Sequence, residues 1–226
     1  MTSPEIGYFG FTDGGCINNG KKNAKASFCS ISIDGTNKYI IDGLVQPNKY
    51  YLDEAEIVFD ENGKIINIST TDTPYIKIDN TIKIDNTIKI DDIIKIDNTI
   101  KINPSSNRGE LLGLVHCFAQ LVCMGLNKDM SNNYIEVYTD SLLCVNTFNK
   151  WLLTRQKNNT THKMKNIDLI TIADIFFKQL KLMYKSAELL HIKSHQPKPD
   201  PSKGTKELFI WLGNKQADDH CSLVLK

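Results

Sequence analysis

Residues 7–16 read GYFGFTDGGC, and this stretch predicts a β-strand that ends on a carboxylate. Tyr8, Phe9 and Phe11 are residue types that favour a pleated, half-buried segment. Two glycines follow Asp13, and they allow a tight turn or the close approach of another backbone. A single carboxylate at a strand end is more often a turn cap than a ligand. A catalytic interpretation of Asp13 therefore depends on whether later acidic residues can be brought beside it.

The composition is that of one globular domain. The chain has 226 residues, of which 41% are hydrophobic, and this is enough for a single core with insertions. Its net charge is +1, which excludes a global electrostatic attraction for nucleic acid. Binding to nucleic acid would therefore need a local basic patch.

Cysteine usage and targeting signals point to a reducing compartment. The six cysteines form no CxxC pair and show no zinc-ligand spacing. The first residues are polar, and no apolar run reaches the roughly 20 residues of a membrane span. We therefore expect an intracellular protein, cytoplasmic or nuclear, with no secretion signal and no membrane partner. The high content of Ile, Asn and Lys points to an AT-rich genome, and a viral source fits the same observation.

Two further strands follow the first one closely. Residues 26–33 (ASFCSISI) alternate as a half-buried strand does, and residues 38–46 (KYIIDGLVQ) continue after a turn at 34–37. Short connections between three strands predict an antiparallel meander. Residues 56–59 and 64–68 flank a segment with Asn62–Gly63, which is a hairpin signal.

Residues 75–103 repeat a hexapeptide of the type TIKIDN. Ile alternates with Lys and Asp, and this period of two predicts β-structure, while a period of six is compatible with a β-solenoid. The copies are too few for a self-supporting stack. We therefore interpret residues 47–103 as an insertion, with the repeat as a hairpin-like excursion or mobile insert, within a single domain of residues 1–226.

The second half of the chain alternates helices and strands. Residues 107–126 predict a helix with an N-cap signal at 103–106 and Glu110 in its first turn. Residues 134–139 (YIEVYT) predict a strand that ends at Asp140, followed by a helix over 142–153. A helix over 167–186, a strand over 187–192, a loop over 196–213 and a last helix over 215–223, capped by Asn214, complete the chain. This order predicts parallel pairing between the first strand and the strand at 134–139.

The span between Asp140 and Asp168 contains no acidic residue. It carries Trp151 and several cations, among them Lys150, Arg155, Lys157, Lys163 and Lys165. Cations beside an aromatic side chain suit a sugar–phosphate backbone. A solvated loop between helices is the alternative that composition alone leaves open.

Four carboxylates could converge in this topology: those of Asp13, Glu110, Asp140 and Asp218. Unpaired carboxylates in one pocket repel each other unless hard divalent cations neutralise them. Ligands that are all oxygen suit Mg²⁺ or Mn²⁺.

Five motifs, in order, make the chain resemble the type I ribonuclease H family. They are TDGGC at 12–16, SSNRGEL at 105–111, YTDS at 138–141, KSH at 193–195 and NKQAD at 214–218. The resemblance implies an α/β fold with a mixed five-stranded sheet, order 3-2-1-4-5, flanked by helices. The insertion would then fall between strand 3 and the first helix. It also implies endonucleolytic hydrolysis of the RNA strand of RNA·DNA hybrids, leaving 5′-phosphate and 3′-hydroxyl ends.

The resemblance implies a role for each matching residue. Asp13, Glu110, Asp140 and Asp218 would hold two Mg²⁺ ions, with Asp219 as the fallback for the last ligand. His195 would assist proton movement and product release. Contacts to the minor groove of the hybrid would come from Cys16, Asn19, Ser106 and Asn107. Residues 150–165, with Trp151, would form a hybrid-binding handle, and the chain is expected to act as a monomer.

Two other functions stay open. One is a nuclease or strand-transfer enzyme of the same fold that acts on DNA. The other is a non-catalytic nucleic-acid-binding domain that kept the fold. The four carboxylates argue against the second, because loss of one is the easiest route to inactivity.

Two features depart from the pattern of the family that the chain resembles. The handle is short, and the segment between His195 and Asp218 is long.

Overall fold

The computed structural model describes residues 7–35, 37–46, 56–60, 64–69, 87–89, 103–200, 202 and 205–226. The strands are β1 Tyr8–Asp13, β2 Cys16–Ile17, β3 Lys25–Asp34, β4 Asn37–Leu44, β5 Glu56–Phe59, β6 Ile65–Ser69, β7 Thr87–Lys89, β8 Tyr134–Thr139 and β9 Ser186–His191. The α-helices are α1 Ser106–Gly125, α2 Leu142–Asn146, α3 Leu152–Lys157, α4 Ile167–Met183 and α5 Thr205–Val224.

The main sheet has the predicted strand order. Its long strands lie in the order β4-β3-β1-β8-β9, and the short β2 pairs only with β3. The pairs β1–β3 and β3–β4 are antiparallel, whereas β1–β8 and β8–β9 are parallel. Because Thr12 lies opposite Thr139 in the parallel pair, β1 and β8 end at the same edge. This register places Asp13 and Asp140 side by side.

Helices cover both faces of this sheet. Helix α1 packs on β1 and β3 and against α4 on one face, while α5 packs on β1, β3 and β4 on the other. Side chains that alternate along β3 divide between the two cores, with Phe28 in the α1 core and Ile31 in the α5 core. The expectation of a half-buried strand at 26–33 is therefore wrong, because β3 is central and is buried on both faces from Ala26 to Ser32.

Helix α1 is buried on all sides. Ser105 is its N-cap, with the side-chain oxygen accepting a hydrogen bond from the Arg108 amide, and every residue from Arg108 to Gly125 is buried. The helix begins at Ser106, so Glu110 lies in its second turn rather than in its first. A single apolar stripe would have left one side exposed. The helix instead fills the space between the sheet and α4, and its apolar residues are spread all round.

Helix α5 is longer than the sequence predicted. It begins at Thr205, so Asn214 lies in its interior and is not a cap. Gly213, which we interpreted as the end of a loop, is instead buried against the sheet. A Cβ atom there would come within 2.4 Å of the Phe11 ring, so only glycine allows this close packing of helix on strand. Phe209 adds edge-on contacts to Phe9 and Phe11, and these contacts hold the additional turns in place.

The segment after β8 stays helical with one irregularity. Helix α2 continues into a π-helical turn at Thr147–Trp151 and then into α3. A 3-10 turn at Thr161–Lys163 leads to α4, whose N-cap Asn166 has a left-handed backbone conformation. Apart from the earlier start of α5, the predicted helices and the strand at 187–192 are thus present with ends shifted by a few residues.

The predicted hairpin is present in the region that we assign to the insertion. Strands β5 and β6 pair antiparallel, and the Asp60 side chain accepts a hydrogen bond from the Lys64 amide at 2.8 Å. Ile65 is buried, and its amide donates to the Gln179 side chain of α4 at 3.0 Å. Strand β7 pairs with β5. Apart from β7 and Asn103, the hexapeptide repeat lies outside the described residues, so the assignment of residues 47–103 as an insertion stays a prediction.

Two sequence expectations concern the chain as a whole. Each of the six cysteines is free. Among the helices in the described ranges, none combines the length and the apolar character that crossing a membrane requires.

Candidate active site

Three of the predicted carboxylates converge at the edge where β1 and β8 end. Asp13 is the last residue of β1, Asp140 directly follows β8, and Glu110 comes from the second turn of α1. One oxygen of each side chain lies within 4.8 Å of the others. Asp13 and Glu110 are only 9% exposed, whereas Asp140 is half-buried. The cluster is therefore open to solvent on the Asp140 side.

Two glycines bring Glu110 to Asp13. A Cβ atom on Gly14 would lie 2.1 Å from the Glu110 amide nitrogen, and one on Gly109 would lie 2.1 Å from the Ser27 carbonyl oxygen. Backbone therefore packs on backbone where β1 ends and α1 begins, which no other residue pair would allow. The motifs that carry Asp13 and Glu110 each contain one of these glycines.

Helix α5 is fixed to the same edge by hydrogen bonds. The Cys221 thiol donates to the Asp13 carbonyl at 3.2 Å, and the Ser27 hydroxyl donates to the Cys221 carbonyl at 2.9 Å. Asp218 lies one turn earlier on this helix, and its charge raises the pKa of both Asp13 and Asp140. Asp219 pairs with Lys215 at 2.7 Å and is 55% exposed. The geometry thus favours Asp218 over Asp219 as the fourth carboxylate of the cluster.

In the folded protein, burial and neighbouring negative charge raise the pKa values of the clustered carboxyl groups. Burial raises the pKa of Asp13 to about 6, with further contributions from Asp140 and Asp218. Burial also raises the pKa of Glu110 well above its usual range, and the charges of Asp13 and Asp140 add to this effect. The pKa of Asp140 is raised by burial and by Asp218. Without a cation, these carboxyl groups therefore resist carrying their full charge near neutral pH.

The donor set fits a hard divalent cation. Among the described residues, none of the three clustered carboxylates makes an ion pair. One carboxylate oxygen of Glu110, Oε2, is buried, and no hydrogen-bond partner for it occurs in the described part of the chain. A buried carboxylate oxygen in this state is costly unless a cation satisfies it. Donors that are all oxygen suit Mg²⁺ or Mn²⁺ better than softer metals.

We expect the metal-free protein to lose stability as the pH rises. The pKa of Asp13 is raised in the folded state, so the folded state binds more protons between pH 4 and about 6, and the free energy of unfolding falls across this window. A shift of this size corresponds to about 3 kcal/mol at most. Denaturant unfolding in a chelator, from pH 4 to pH 7.5, measures the slope.

The variant Asp13→Asn should show a smaller slope in the same experiment, and it should be more stable than the wild-type chain at pH 7.5 without metal. Asp219→Asn is the matched control, because this exposed neighbour pairs with Lys215, and it should leave the slope unchanged. An equal slope in Asp13→Asn and the wild type would contradict the raised pKa that burial and the neighbouring carboxylates give Asp13.

His195 lies beside the carboxylates in the turn after β9. Its backbone is left-handed, with φ 52°, and its side chain is exposed. It lines a cavity of 220 Å³ together with Asp140, Trp211, Asn214 and Asp218. The structure thus places His195 and the fourth carboxylate around one space, which adjoins the three-carboxylate cluster through Asp140.

The predicted minor-groove residues form a second group near the start of α1. The Asn19 side-chain amide donates to the Ser106 hydroxyl at 3.2 Å. Burial raises the pKa of the Cys16 thiol, and the nearby Ser106 backbone amide lowers it in part. Asn107 is exposed and lines the neighbouring groove. Three of these four residues therefore lie close together, adjacent in the chain to the helix turn that carries Glu110.

Most of the predicted handle residues line one groove, which we call the basic groove. It has a volume of 570 Å³, and its lining includes Asn107, Lys150, Trp151, Arg155, Lys163 and Lys165. Trp151 is 43% exposed, so its ring is accessible. Lys157 is exposed in the last turn of α3. The acid-free span thus folds into a concave cationic surface with an aromatic side chain.

Sequence reasoning missed the residue that ties the basic groove to the carboxylates. Arg108 is 4% exposed and makes two hydrogen bonds to Asp168, at 2.8 and 3.2 Å, and one to Asn166 at 3.2 Å. The bidentate pair joins the start of α4 to the residue two positions before Glu110. The sequence carried one signal for this ion pair, namely that Asp168 is the first acidic residue after a long acid-free span.

Three of the other four histidines have structural contacts. His116 is buried and stacks on Phe28 with ring centroids 5.0 Å apart, as expected for a packed side chain. The His191 ring lies 3.2 Å from the Asp140 carbonyl oxygen, and His220 lies 2.6 Å from Asp42.

Comparison with known proteins supports the fold. No protein-family model matches the chain, and no curated protein matches it. The protease–reverse transcriptase of prototype foamy virus superposes with a TM-score of 0.51 at 12% identity, over 99% of this chain and 21% of that one. The N-terminal RNase H domain of a Mycobacterium tuberculosis protein, solved as a maltose-binding-protein fusion, has a TM-score of 0.47 at 11% identity, over 97% and 93%. The PFV RNase H domain in solution has a TM-score of 0.48 at 15% identity, over 97% and 94%.

At 12% identity, the similarity to the foamy virus protein establishes the fold alone. The superposition extends over nearly the whole chain, and the observed strand order is the one that the motifs implied. The predicted fold class is thereby confirmed.

Proposed function

We propose that this chain, which has the ribonuclease H-like fold, is a metal-dependent endonuclease that hydrolyses the RNA strand of RNA·DNA hybrids. The observation that carries the proposal is the convergence of Asp13, Glu110 and Asp140, whose oxygens lie within 4.8 Å of one another. This cluster is joined by the Arg108–Asp168 ion pair to a cationic groove with a volume of 570 Å³. Acidic cluster and basic groove together suit a phosphodiester substrate.

The four carboxylates divide the work of holding the cations. Asp13 and Glu110 are buried and rigidly placed by the Gly14–Gly109 contact, and they form the floor of the site. Asp140 and Asp218 form its open side, towards His195. Two Mg²⁺ ions bound there, with Mn²⁺ as an alternative, would lower the pKa of the attacking water and stabilise the leaving 3′-oxygen. The products would carry 5′-phosphate and 3′-hydroxyl ends.

His195 and the polar group at α1 have separate tasks in this proposal. His195 is exposed at the open side, where it can exchange protons with solvent and with a departing product. Asn19, Ser106 and Cys16 offer donors and acceptors of the kind that a 2′-hydroxyl pairs with. Selection of RNA over DNA at the cleaved strand would rest on this group.

Neutralising the basic groove should weaken substrate binding more than chemistry. We expect the triple variant Arg155→Gln, Lys163→Gln, Lys165→Gln to raise KM by about tenfold or more at 150 mM salt, with kcat within about threefold, because each lost phosphate contact weakens binding. The plot of log KM against log salt should become shallower by roughly two to three units. Steady-state cleavage of a labelled hybrid at several salt concentrations measures both quantities.

The control carries the same charge change away from the groove. The triple variant Lys64→Gln, Lys128→Gln, Lys185→Gln removes three exposed cations near the opposite edge of the sheet, where β8 and β9 begin, and should leave the salt dependence close to that of the wild type. An equal effect of both triple variants would show that net charge, and not the basic groove, governs binding.

The test of the function itself compares substrates. A labelled RNA·DNA hybrid is incubated with the protein and Mg²⁺ beside matched double-stranded RNA and double-stranded DNA. Cutting of only the RNA strand of the hybrid supports the proposal. Cutting of DNA alone would favour the same-fold DNA nuclease or strand-transfer enzyme, and binding of the hybrid without any cutting would favour the non-catalytic domain.

A further inference from the structure

The additional turns of α5 reach the segment that carries His195. The helix begins at Thr205, and Trp211 lies in its second turn. Trp211, Asn214, Lys215 and Asp218 are spaced i, i+3, i+4 and i+7, so they share one face of the helix. All four line the cavity that His195 and Asp140 also line. One helix face therefore presents the fourth carboxylate and, further along, an indole ring to the same space.

Hydrogen bonds hold the backbone on both sides of His195. The Trp211 indole nitrogen, Nε1, donates to the Gln196 carbonyl oxygen at 2.8 Å. The Gln196 side-chain amide donates to the Ser194 carbonyl oxygen at 3.1 Å. His195 itself has φ 52°, a conformation that residues other than glycine adopt at a cost and keep only where the surroundings support it. The indole bond connects this turn to a different element of the fold, α5.

In the additional turns of α5, residues other than Trp211 pack against the core. Phe209 makes edge-on contacts to Phe9 and Phe11, and Ile210 packs against the same core cluster. Trp211 is outside that cluster, on the face that lines the cavity. Its ring therefore does not pack in this core cluster, and its single N–H donor bonds the His195 turn.

We propose that Trp211 is a positioning residue, whose indole N–H holds the His195 turn so that His195 stays at the cavity shared with Asp140 and Asp218. The kinetic consequence rests on the proposed function. Without the bond, His195 would sample positions away from the cavity, and proton movement at the open side of the site would slow. Binding of the hybrid, which uses the basic groove, would stay unchanged.

The test removes the donor and keeps the ring. We expect Trp211→Phe to lower kcat about tenfold with KM within about twofold, because catalytic groups displaced by an ångström lose much of their effect. In a His195→Ala background the same change should lower kcat by less than about twofold. Leu212→Ala, at a half-exposed neighbour on the same helix, is the control and should change neither value. An equal loss in both backgrounds would overturn the proposal.

A second readout needs neither substrate nor metal. Amide hydrogen exchange of residues 192–196, which include the Ile192 amide bonded to the Thr139 carbonyl, should be at least about fivefold faster in Trp211→Phe than in the wild type, with exchange in β8 and α1 unchanged. Unaltered exchange in this turn would overturn the positioning role even if kcat fell. If the wild-type chain cleaves no hybrid, the proposed function fails, while the exchange experiment still decides whether Trp211 holds the His195 turn.

Discussion

Replacement of Asp13 by Asn is expected to lower the rate of hybrid cleavage at least about 1000-fold, while the affinity for the hybrid changes by less than about threefold. Asp13 is the most central carboxylate of the site: it is buried, its charge raises the pKa of Glu110, and the charge of Asp140 raises the pKa of Asp13 itself. The amide keeps the shape but halves the number of strong oxygen ligands and removes the charge. Loss of metal-assisted stabilisation worth several kcal/mol corresponds to this fall in rate.

The measurement is single-turnover cleavage of a labelled hybrid with Mg²⁺, beside equilibrium binding of the same hybrid with a chelator. Asp219→Asn is the control, since it makes the same chemical change one residue beyond the fourth carboxylate, on a side chain paired with Lys215. It should cleave within about threefold of the wild type. Cleavage by Asp13→Asn at the wild-type rate would sink the metal-site assignment.

Thermal unfolding separates metal binding from catalysis. Mg²⁺ should raise the Tm of the wild-type chain, because a ligand that binds only the folded state stabilises it. The same addition should have little effect on Asp13→Asn, whose Tm without metal should already be higher than that of the wild type. A fall in cleavage with an unchanged response of Tm to Mg²⁺ would place Asp13 in the chemistry but outside the metal site.

The parts of this fold that the sequence predicts well are those that depend on local pattern. Each of these features can be recognised within about ten residues of sequence. They are the alternation of the strands, the hairpin signal at Asn62–Gly63 and the carboxylates at the ends of β1 and β8. Parallel pairing of β1 with β8 then follows from chain order, and it brings Asp13 and Asp140 to the same edge. The motif resemblance supplied Glu110 and Asp218, whose approach to the strand ends depends on long-range packing that periodicity does not reveal.

The errors arose where tertiary contacts override local signals. Gly213 is a helix breaker by propensity, yet it lies inside α5 because Phe11 occupies the space where a side chain would be. The pattern of β3 is typical of a half-exposed strand, but its small polar residues Ser27, Ser30 and Ser32 are buried beneath the helices. The sequence around Arg108 does not distinguish it from a solvent-facing residue, because Asp168 lies far away in the chain and only the fold brings the two together.

The charge distribution resolves an apparent conflict between net charge and substrate. A chain with net charge +1 has no overall attraction for a polyanion. Four of its cations, Lys150, Arg155, Lys163 and Lys165, instead line the basic groove, and the carboxylates form a separate cluster. Arg108 lies between the groove and the cluster and pairs with Asp168, so its charge is not available to a substrate. A phosphodiester could therefore be drawn to the groove while the cleaved bond lies over the acidic cluster.

The contact between Gly14 and α1 gives the second large expected effect. A Cβ atom on Gly14 would lie 2.1 Å from the Glu110 amide nitrogen and 2.5 Å from the Gly109 carbonyl carbon. Both are backbone atoms, so Gly14→Ala can be accommodated only if the start of α1 moves away from β1. A shift of an ångström would separate Glu110 from Asp13, and we expect cleavage to fall about 100-fold or more. The overpacking should also lower the free energy of unfolding by about 2–3 kcal/mol.

The neighbouring glycine provides the matched control. A Cβ atom on Gly15 would meet the Ser27 hydroxyl at 2.8 Å and a methyl group of Leu225 at 2.9 Å. Both are side-chain atoms, so no backbone has to move, and the largest local cost is the bond from the Ser27 hydroxyl to the Cys221 carbonyl. Gly15→Ala should therefore cleave within about fivefold of the wild type. Single-turnover cleavage and denaturant unfolding of both variants, with the Mg²⁺-dependent change in Tm to report on the carboxylates, measure the difference. If Gly14→Ala behaves as Gly15→Ala does, Glu110 is held at Asp13 by something other than this backbone contact, and the structural basis that we give for the site is wrong.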